Sequence, residues 1–226
     1  KKPVVAVDTP VGDGSQYLVS TVSSDNVLGG ELAAIYLNQQ IKQRLKQTSC
    51  VVLVTGNPRA KTHQDRIEGF SRIMKSQMPS TKIIQYSAMS SFDLAKDLAT
   101  KNMSTFQKCG AVFSTNDTMV LGLLTAFETK KLTPPILVGY DAILEVQRKI
   151  LQGRLDASVQ QSPAQMGNLA MEAIHDSFDG KPVEKELIVI PKLSVRQVKL
   201  NTMSKRDLEV FDPANEEKLP EDPKLE

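Results

Sequence analysis

Short β-branched runs alternate along this chain with longer stretches in which apolar residues recur every three or four positions. The short runs predict strands at 4–8, 51–55, 82–86, 111–114, 136–139, 157–160 and 186–190. The longer stretches predict helices near 26–46, 60–78, 92–106, 117–130, 143–152 and 163–178. In the first helix Ala34, Leu37, Ile41 and Leu45 share a face. In the fourth, Val120, Leu123, Leu124 and Phe127 keep the i, i+3, i+4, i+7 spacing that buries a stripe. Strand and helix in alternation predict an α/β fold, a parallel sheet with helices on both faces.

Local signals refine the boundaries. Asp25 and Asp117 are expected N-caps, and Pro163 suits a first helical turn. Gly153 and Gly180 follow helix ends, where a left-handed residue is needed. The stretch 2–26 reads as one strand, a turn and a helix opening. After Asn201 the pattern stops: the last 26 residues hold three prolines and eight acids against four bases, with few large apolar side chains. Such a segment cannot bury much and is expected to be an extended or partly ordered tail.

Composition narrows the function classes. A chain of 226 residues with 40% hydrophobic and 24% charged content can form one large or two small domains with a real core. A net charge of +2 gives no grip on nucleic acid or an anionic membrane surface. No apolar run approaches the roughly 18 residues of a membrane span. Cys50 and Cys109 each precede a predicted strand. If those strands are neighbours, the thiols can pair, which would fit an oxidising compartment; otherwise they are two small buried residues.

Catalytic and cofactor motifs fail on inspection. Gly56-Asn-Pro-Arg-Ala-Lys61-Thr62 follows a strand and opens a helix, as a phosphate loop would. Its spacing is one residue short, Ala60 replaces the second glycine, and Pro58 removes a backbone donor. His63 and His175 lie in separate helices with no metal-ligand spacing around them. His63 opens its helix near the strand ends and can face a cleft, whereas His175 reads as a surface residue. There is no nucleophile elbow. No cofactor and no enzyme activity are expected.

The remaining signal is positional. In open parallel sheets, ligands bind beyond the carboxyl ends of the strands. Asp8, Arg66, Phe92, Asn116, Tyr140, Asp141 and Gln161 all fall there, with Asp117 beside them as an expected cap. Carboxylates accept from hydroxyls, Arg and Asn donate to oxygens, and aromatic rings cover apolar C–H faces. Together these groups suit a neutral polyhydroxyl ligand.

At these residues the chain resembles the ribose-binding protein family of periplasmic solute receptors, kin to the effector domains of Lac-repressor-type regulators. The blocks VVAVD, SSDNVLGGELA, DRIEGF, AVFSTNDTMVLGLLTA, ILVGYD and DASVQQSPAQMG carry the likeness, which runs from Pro3 to about Leu200. It implies two α/β lobes that close on a sugar, with sugar contacts at Asp8, Arg66, Phe92, Asn116, Asp141 and Gln161. Tyr140 stands where many members have phenylalanine and would stack on the sugar. Ribose receptors place arginine after the Asp8 position; Thr9 here points to another sugar or polyol.

The resemblance also implies a division of the chain. Residues 1–22 would be the last strand and hinge of a first lobe, and 23–161 the complete second lobe. Residues 162–190 would return a helix and strand to the first lobe, 191–200 would make the final crossover, and 201–226 the acidic tail. Most of the first lobe would be missing, supplied by the native gene product or a companion chain. The implied role is periplasmic capture of a monosaccharide or polyol for the membrane permease of an ABC-type importer. The alternative is a ligand-sensing domain of a transcriptional regulator or membrane sensor, although no DNA-binding helix pair or basic stripe is present.

Overall fold

The computed structural model describes residues 2–9, 11 and 17–196. Among these, the strands form two sheets. The larger has the order β4 (Lys82–Ser87), β3 (Cys50–Thr55), β5 (Ala111–Ser114), β6 (Ile136–Asp141), β7 (Ala157–Gln160), β9 (Lys192–Val195). Its neighbours are parallel except β9, which runs antiparallel to β7. The smaller sheet is parallel, with β2 (Leu18–Ser24) between β1 (Val4–Val7) and β8 (Glu186–Val189).

The helices are α1 (Asn26–Gln40), which runs on into a π-helical turn at Ile41–Leu45, α2 (Lys61–Gln77), α3 (Phe92–Lys101) and α4 (Met103–Cys109). They continue with α5 (Asp117–Thr129), α6 (Leu144–Leu151) and α7 (Pro163–Phe178). Strands β3 and β5 are buried at every position, as the unbroken apolar runs require. Alternate residues feed two cores. Val52, Val54 and Val112 pack with Phe106, Leu123 and Phe127, while Val51, Leu53 and Phe113 pack with Leu37, Phe70 and Met74. Each such side chain contributes about 1.5–3 kcal/mol on burial. Helices α1 and α2 cross so closely that a Cβ on Gly69 would lie 1.9 Å from the Val27 carbonyl oxygen. A side chain there would force the helices apart.

The α/β architecture expected from the pattern is the one observed. Strands β2 and β9 were not anticipated. The buried positions of β2 are Ser20, Val22 and Ser24, so its apolar alternation is diluted by serine. The expected helix 92–106 is split at Asn102, whose backbone N–H and side-chain Nδ2 both donate to the Leu98 carbonyl at 3.0 Å. That local competition ends α3. Asp25 caps α1 by accepting from the Leu28 amide at 2.9 Å, but Asp117 caps nothing. Asn116 caps α5, accepting from the Met119 amide at 3.0 Å, and Asp117 is wholly buried.

Cys50 and Cys109 form a disulfide with Cα atoms 4.8 Å apart. β3 and β5 are neighbours, and the bond ties their amino ends. The chain passes between the sheets after β2, after β7 and after β8. The first passage falls after Ser24, so the boundary expected at residue 22 lies inside β2. The tail expected over 201–226 lies outside the described residues, as does 197–200 of the expected crossover.

Candidate functional site

Three polar residues from strand ends converge on one open cleft. Asp8 directly follows β1 with φ 69°, its amide held by the Val22 carbonyl at 2.8 Å. Asp141 ends β6 with φ 114°, followed by Ala142 at φ 51°, and Gln161 follows β7. They line a volume of about 330 Å³ whose apolar wall is Val7, Ile143, Pro163 and Met166. The size is that of a small-molecule site. Asp8 comes from the smaller sheet and Asp141 from the larger, so the cleft lies where the two sheets meet.

Arg66, in the second turn of α2, reaches the same place from beneath. It is only 4% exposed. Its Nε donates to Asn26 Oδ1 at 2.8 Å and its Nη1 to the Thr115 carbonyl at 2.7 Å. The guanidinium carbon lies 3.7 Å from the centroid of the Tyr140 ring, and the Tyr140 hydroxyl also donates to Asn26 Oδ1, at 3.2 Å. Asn26 is held in turn by Nδ2 donating to the Ser24 carbonyl at 3.1 Å. Gly29 admits this stack: a Cβ there would lie 2.2 Å from the Tyr140 hydroxyl. A buried guanidinium braced this way keeps a fixed orientation.

Asp141 Oδ1 is 3.7 Å from Arg66 Nη1 and accepts from Gln161 Nε2 at 2.7 Å. Burial pushes the Asp141 carboxyl up from its ordinary value, opposed by the Arg66 charge and the Gln161 bond. Gln161 Oε1 is buried and has no hydrogen-bond partner among the described residues. An unmet buried acceptor costs about 1–3 kcal/mol, which a ligand hydroxyl would relieve.

Two further buried titratable groups stand behind this surface. Asp117 Oδ1 accepts from Ser158 Oγ at 2.8 Å and Oδ2 from the Ile143 amide at 2.9 Å. Burial raises its carboxyl to about 7 despite those bonds. His63 lies 3.0 Å from Ser90 Oγ through Nε2 and 2.9 Å from Thr115 Oγ1 through Nδ1. Burial, helped by the Arg66 charge, lowers its imidazole to about 4. The His–Ser pair has a hydroxyl where a catalytic triad has its carboxylate, so no negative charge supports an imidazolium. At the carboxyl end of α7, exposed His175 and Asp179 cluster with half-buried Asp176, and Lys181 Nζ pairs with both carboxylates at 3.0 Å.

The seven residues expected at the site take four different positions. Asp8, Asp141 and Gln161 line the cleft, and Arg66 meets them through Asp141. Tyr140 does not present an open ring. It is wholly buried beneath Arg66, so the stacking expected of it goes to the guanidinium. Asn116 spends its side-chain oxygen on capping α5, one residue from the carbonyl that anchors Arg66. Phe92 packs against the core shared with α5 and does not line the cleft. Asn26, Asp117 and Ser158 were not named as site residues. Polar residues at helix openings and strand ends were visible, but which of them turn inward depends on packing.

A family model described as a periplasmic binding protein domain matches residues 1–182. The ribose import binding protein of Salmonella typhimurium is 29% identical over 199 residues, 87% of this chain and 64% of that protein. The ribose import binding protein of Bacillus subtilis is 30% identical over 197 residues, 86% of this chain and 61% of that protein. The chain thus spans less than two thirds of the length of these curated relatives. The crystal structure of a galactofuranose binding protein superposes with a TM-score of 0.75 at 25% identity, over 92% of this chain and 70% of that one. From this match, and from the paired α/β architecture beneath it, the chain belongs to the periplasmic binding protein family.

Proposed function

We propose that this protein is a sugar receptor, taking a neutral monosaccharide or related polyol into the cleft of Asp8, Arg66, Asp141 and Gln161 and performing no chemistry on it. The observation that carries this reading is the meeting of acceptor and donor groups from both sheets on one small volume. Paired hydroxyls of a sugar ring fit the Asp8 and Asp141 carboxylates, while Arg66 and the Gln161 amide serve ring and hydroxyl oxygens. The ribose-binding relatives supply the ligand class. Thr9, exposed and with its hydroxyl donating to Asp8 Oδ2 at 3.3 Å, supplies no fixed cation there, which favours a sugar other than ribose.

The complete protein would work by hinge closure, the ligand bridging the two sheets and biasing open and closed forms. In this reading the second lobe runs from Asp25 to Gln161, and β1, β2, β8 and α7 belong to the first. The smaller sheet packs Val5, Val22, Leu187 and Val189 against α7, while Val4 and Ile188 on its other face are 44% and 48% exposed. Parallel sheets are normally covered on both faces. The exposed face is where a further segment, or a companion chain, would complete the first lobe. The partner downstream would be the permease of an ABC-type importer. A periplasmic location accords with the Cys50–Cys109 disulfide, which needs an oxidising compartment.

The reading is tested by a thermal-shift and calorimetric screen of aldoses, ketoses and polyols on the full-length protein. At least one sugar should raise the melting temperature progressively, with the logarithm of its concentration once that exceeds the dissociation constant. A complete panel without any response would remove it.

A further inference from the structure

The turn that carries Asp141 is strained, and it is clamped from behind by groups that never reach the cleft. Asp141 and Ala142 have φ of 114° and 51°, and neither is glycine. Two consecutive residues in that region cost on the order of 1–3 kcal/mol each and persist only where surrounding contacts impose them.

Those contacts are visible. The Ala142 amide donates to Ser158 Oγ at 3.0 Å, and Ser158 Oγ donates to Asp117 Oδ1 at 2.8 Å. The next amide, Ile143, donates to Asp117 Oδ2 at 2.9 Å. Gln147 Nε2 holds the Ala142 carbonyl from α6 at 2.6 Å. Both oxygens of one wholly buried carboxylate therefore act on two successive residues of the turn, one directly and one through a serine on β7. The Asp117 backbone amide also favours the ionised Asp141 carboxylate. Burying a carboxylate completely is unfavourable, so the sequence carries a cost here that a simple helix cap would not incur. The cap was available without it, from Asn116.

Resting on the sugar-receptor reading, we propose that Asp117 is a positioning residue for ligand binding: with Ser158 it holds the Asp141–Ala142 turn in the one conformation that aims the Asp141 carboxylate at Gln161 and the cleft. Asp117 itself touches no ligand. Its effect reaches the cleft through Asp141, whose bond to Gln161 Nε2 reports the carboxylate's position.

The test compares Asp117→Ala, Asp117→Asn and Ser158→Ala in the full-length protein by two readouts. In the ligand-free protein, the Gln161 side-chain amide resonances should shift in Asp117→Ala and in Ser158→Ala, because the Asp141 acceptor has moved. Asp117→Asn retains an acceptor for the Ile143 amide and should lie closer to wild type. With a sugar that binds wild type, affinity should fall about tenfold in Asp117→Ala and about threefold in Ser158→Ala, and recover partly in Asp117→Asn. If Asp117→Ala fails to fold, Ser158→Ala still decides the matter by the same resonances. Unchanged Gln161 resonances in the folded variants, or affinities within twofold of wild type, would overturn the proposal. A wild-type protein that binds no sugar would defeat the receptor reading instead, while the Gln161 resonances would still judge the role of Asp117.

Discussion

At the amino ends of β3 and β5 the chain is tied covalently by Cys50–Cys109, and Thr48 Oγ1 reaches the Cys50 and Cys109 carbonyls at 3.0 and 2.9 Å. At the carboxyl ends of the same sheet the chain buries Arg66, His63 and Asp117, and strains its backbone at Met89, Ser90, Asp141 and Ala142. One end is assembled from contacts that stabilise. The other holds a desolvated guanidinium, two buried titratable side chains and unfavourable φ angles, in return for a fixed array of donors and acceptors. Positive φ also occurs before β3 and β6, at Lys46 and Lys131, but buried Arg66, His63 and Asp117 gather where ligand is expected, and the rest of the fold offsets their cost.

The contrast can be broken first at Arg66. Replacing it with Met leaves Asn26 Oδ1 and the Thr115 carbonyl without their charged donor and strips Asp141 of its counter-charge. Urea unfolding should show a loss of about 3–5 kcal/mol, with sugar binding lost as well. The opposite end should behave differently. Removing the disulfide with Cys50→Ala and Cys109→Ala, which opens a loop of sequence separation 59, should cost roughly 2–4 kcal/mol. Sugar affinity of the folded fraction should remain within twofold of wild type. A disulfide-free protein with impaired affinity would show that the two ends are not independent.

A pH titration of stability sharpens the comparison further. Asp117, raised from 3.8 to about 7 by burial, keeps its proton in the folded state where an unfolded aspartate has lost it. Its stabilising contribution is full below pH 4 and is lost as pH rises through 7. His63, lowered from 6.5 to about 4 by burial, works in reverse: its contribution is present above pH 6.5 and is lost as pH falls through 4. Between pH 4 and 6.5 the two slopes oppose. Asp117→Asn should therefore gain on wild type by on the order of 3 kcal/mol from pH 4 to pH 8, and its own melting temperature should rise between pH 4 and 6.5. Calorimetric melts across that range check both signs. The smallest effect is expected for Tyr140→Phe, which removes one hydroxyl donor to Asn26 while Arg66 remains bonded to it. A loss of about 1 kcal/mol is expected by the same melts.

Much of the architecture was legible because β3, β5 and α5 carry long apolar runs, with polar residues buried only at their ends, at Thr55, Ser114 and Asp117. What escaped had weak or inverted patterns. β2 buries two serines, and β9 is a four-residue strand whose pairing is long-range. The site was legible only in outline, since a polar residue after a strand can serve a helix end or a ligand with the same local sequence. Asn116 took the capping part expected of Asp117 for this reason, and Asp117 turned inward to the Ile143 amide and Ser158. The disulfide stayed open at the level of sequence because pairing depended on whether β3 and β5 were adjacent.

In the sugar-receptor reading, Asp141, opposite Asp8 and beside Arg66, is the acceptor around which the ligand is gripped. Isothermal titration of the full-length protein with its best sugar, in wild type and Asp141→Ala, tests it most directly. The variant should keep a cooperative melt and its circular dichroism while its binding heats vanish. Undiminished heats in a folded Asp141→Ala protein would contradict it.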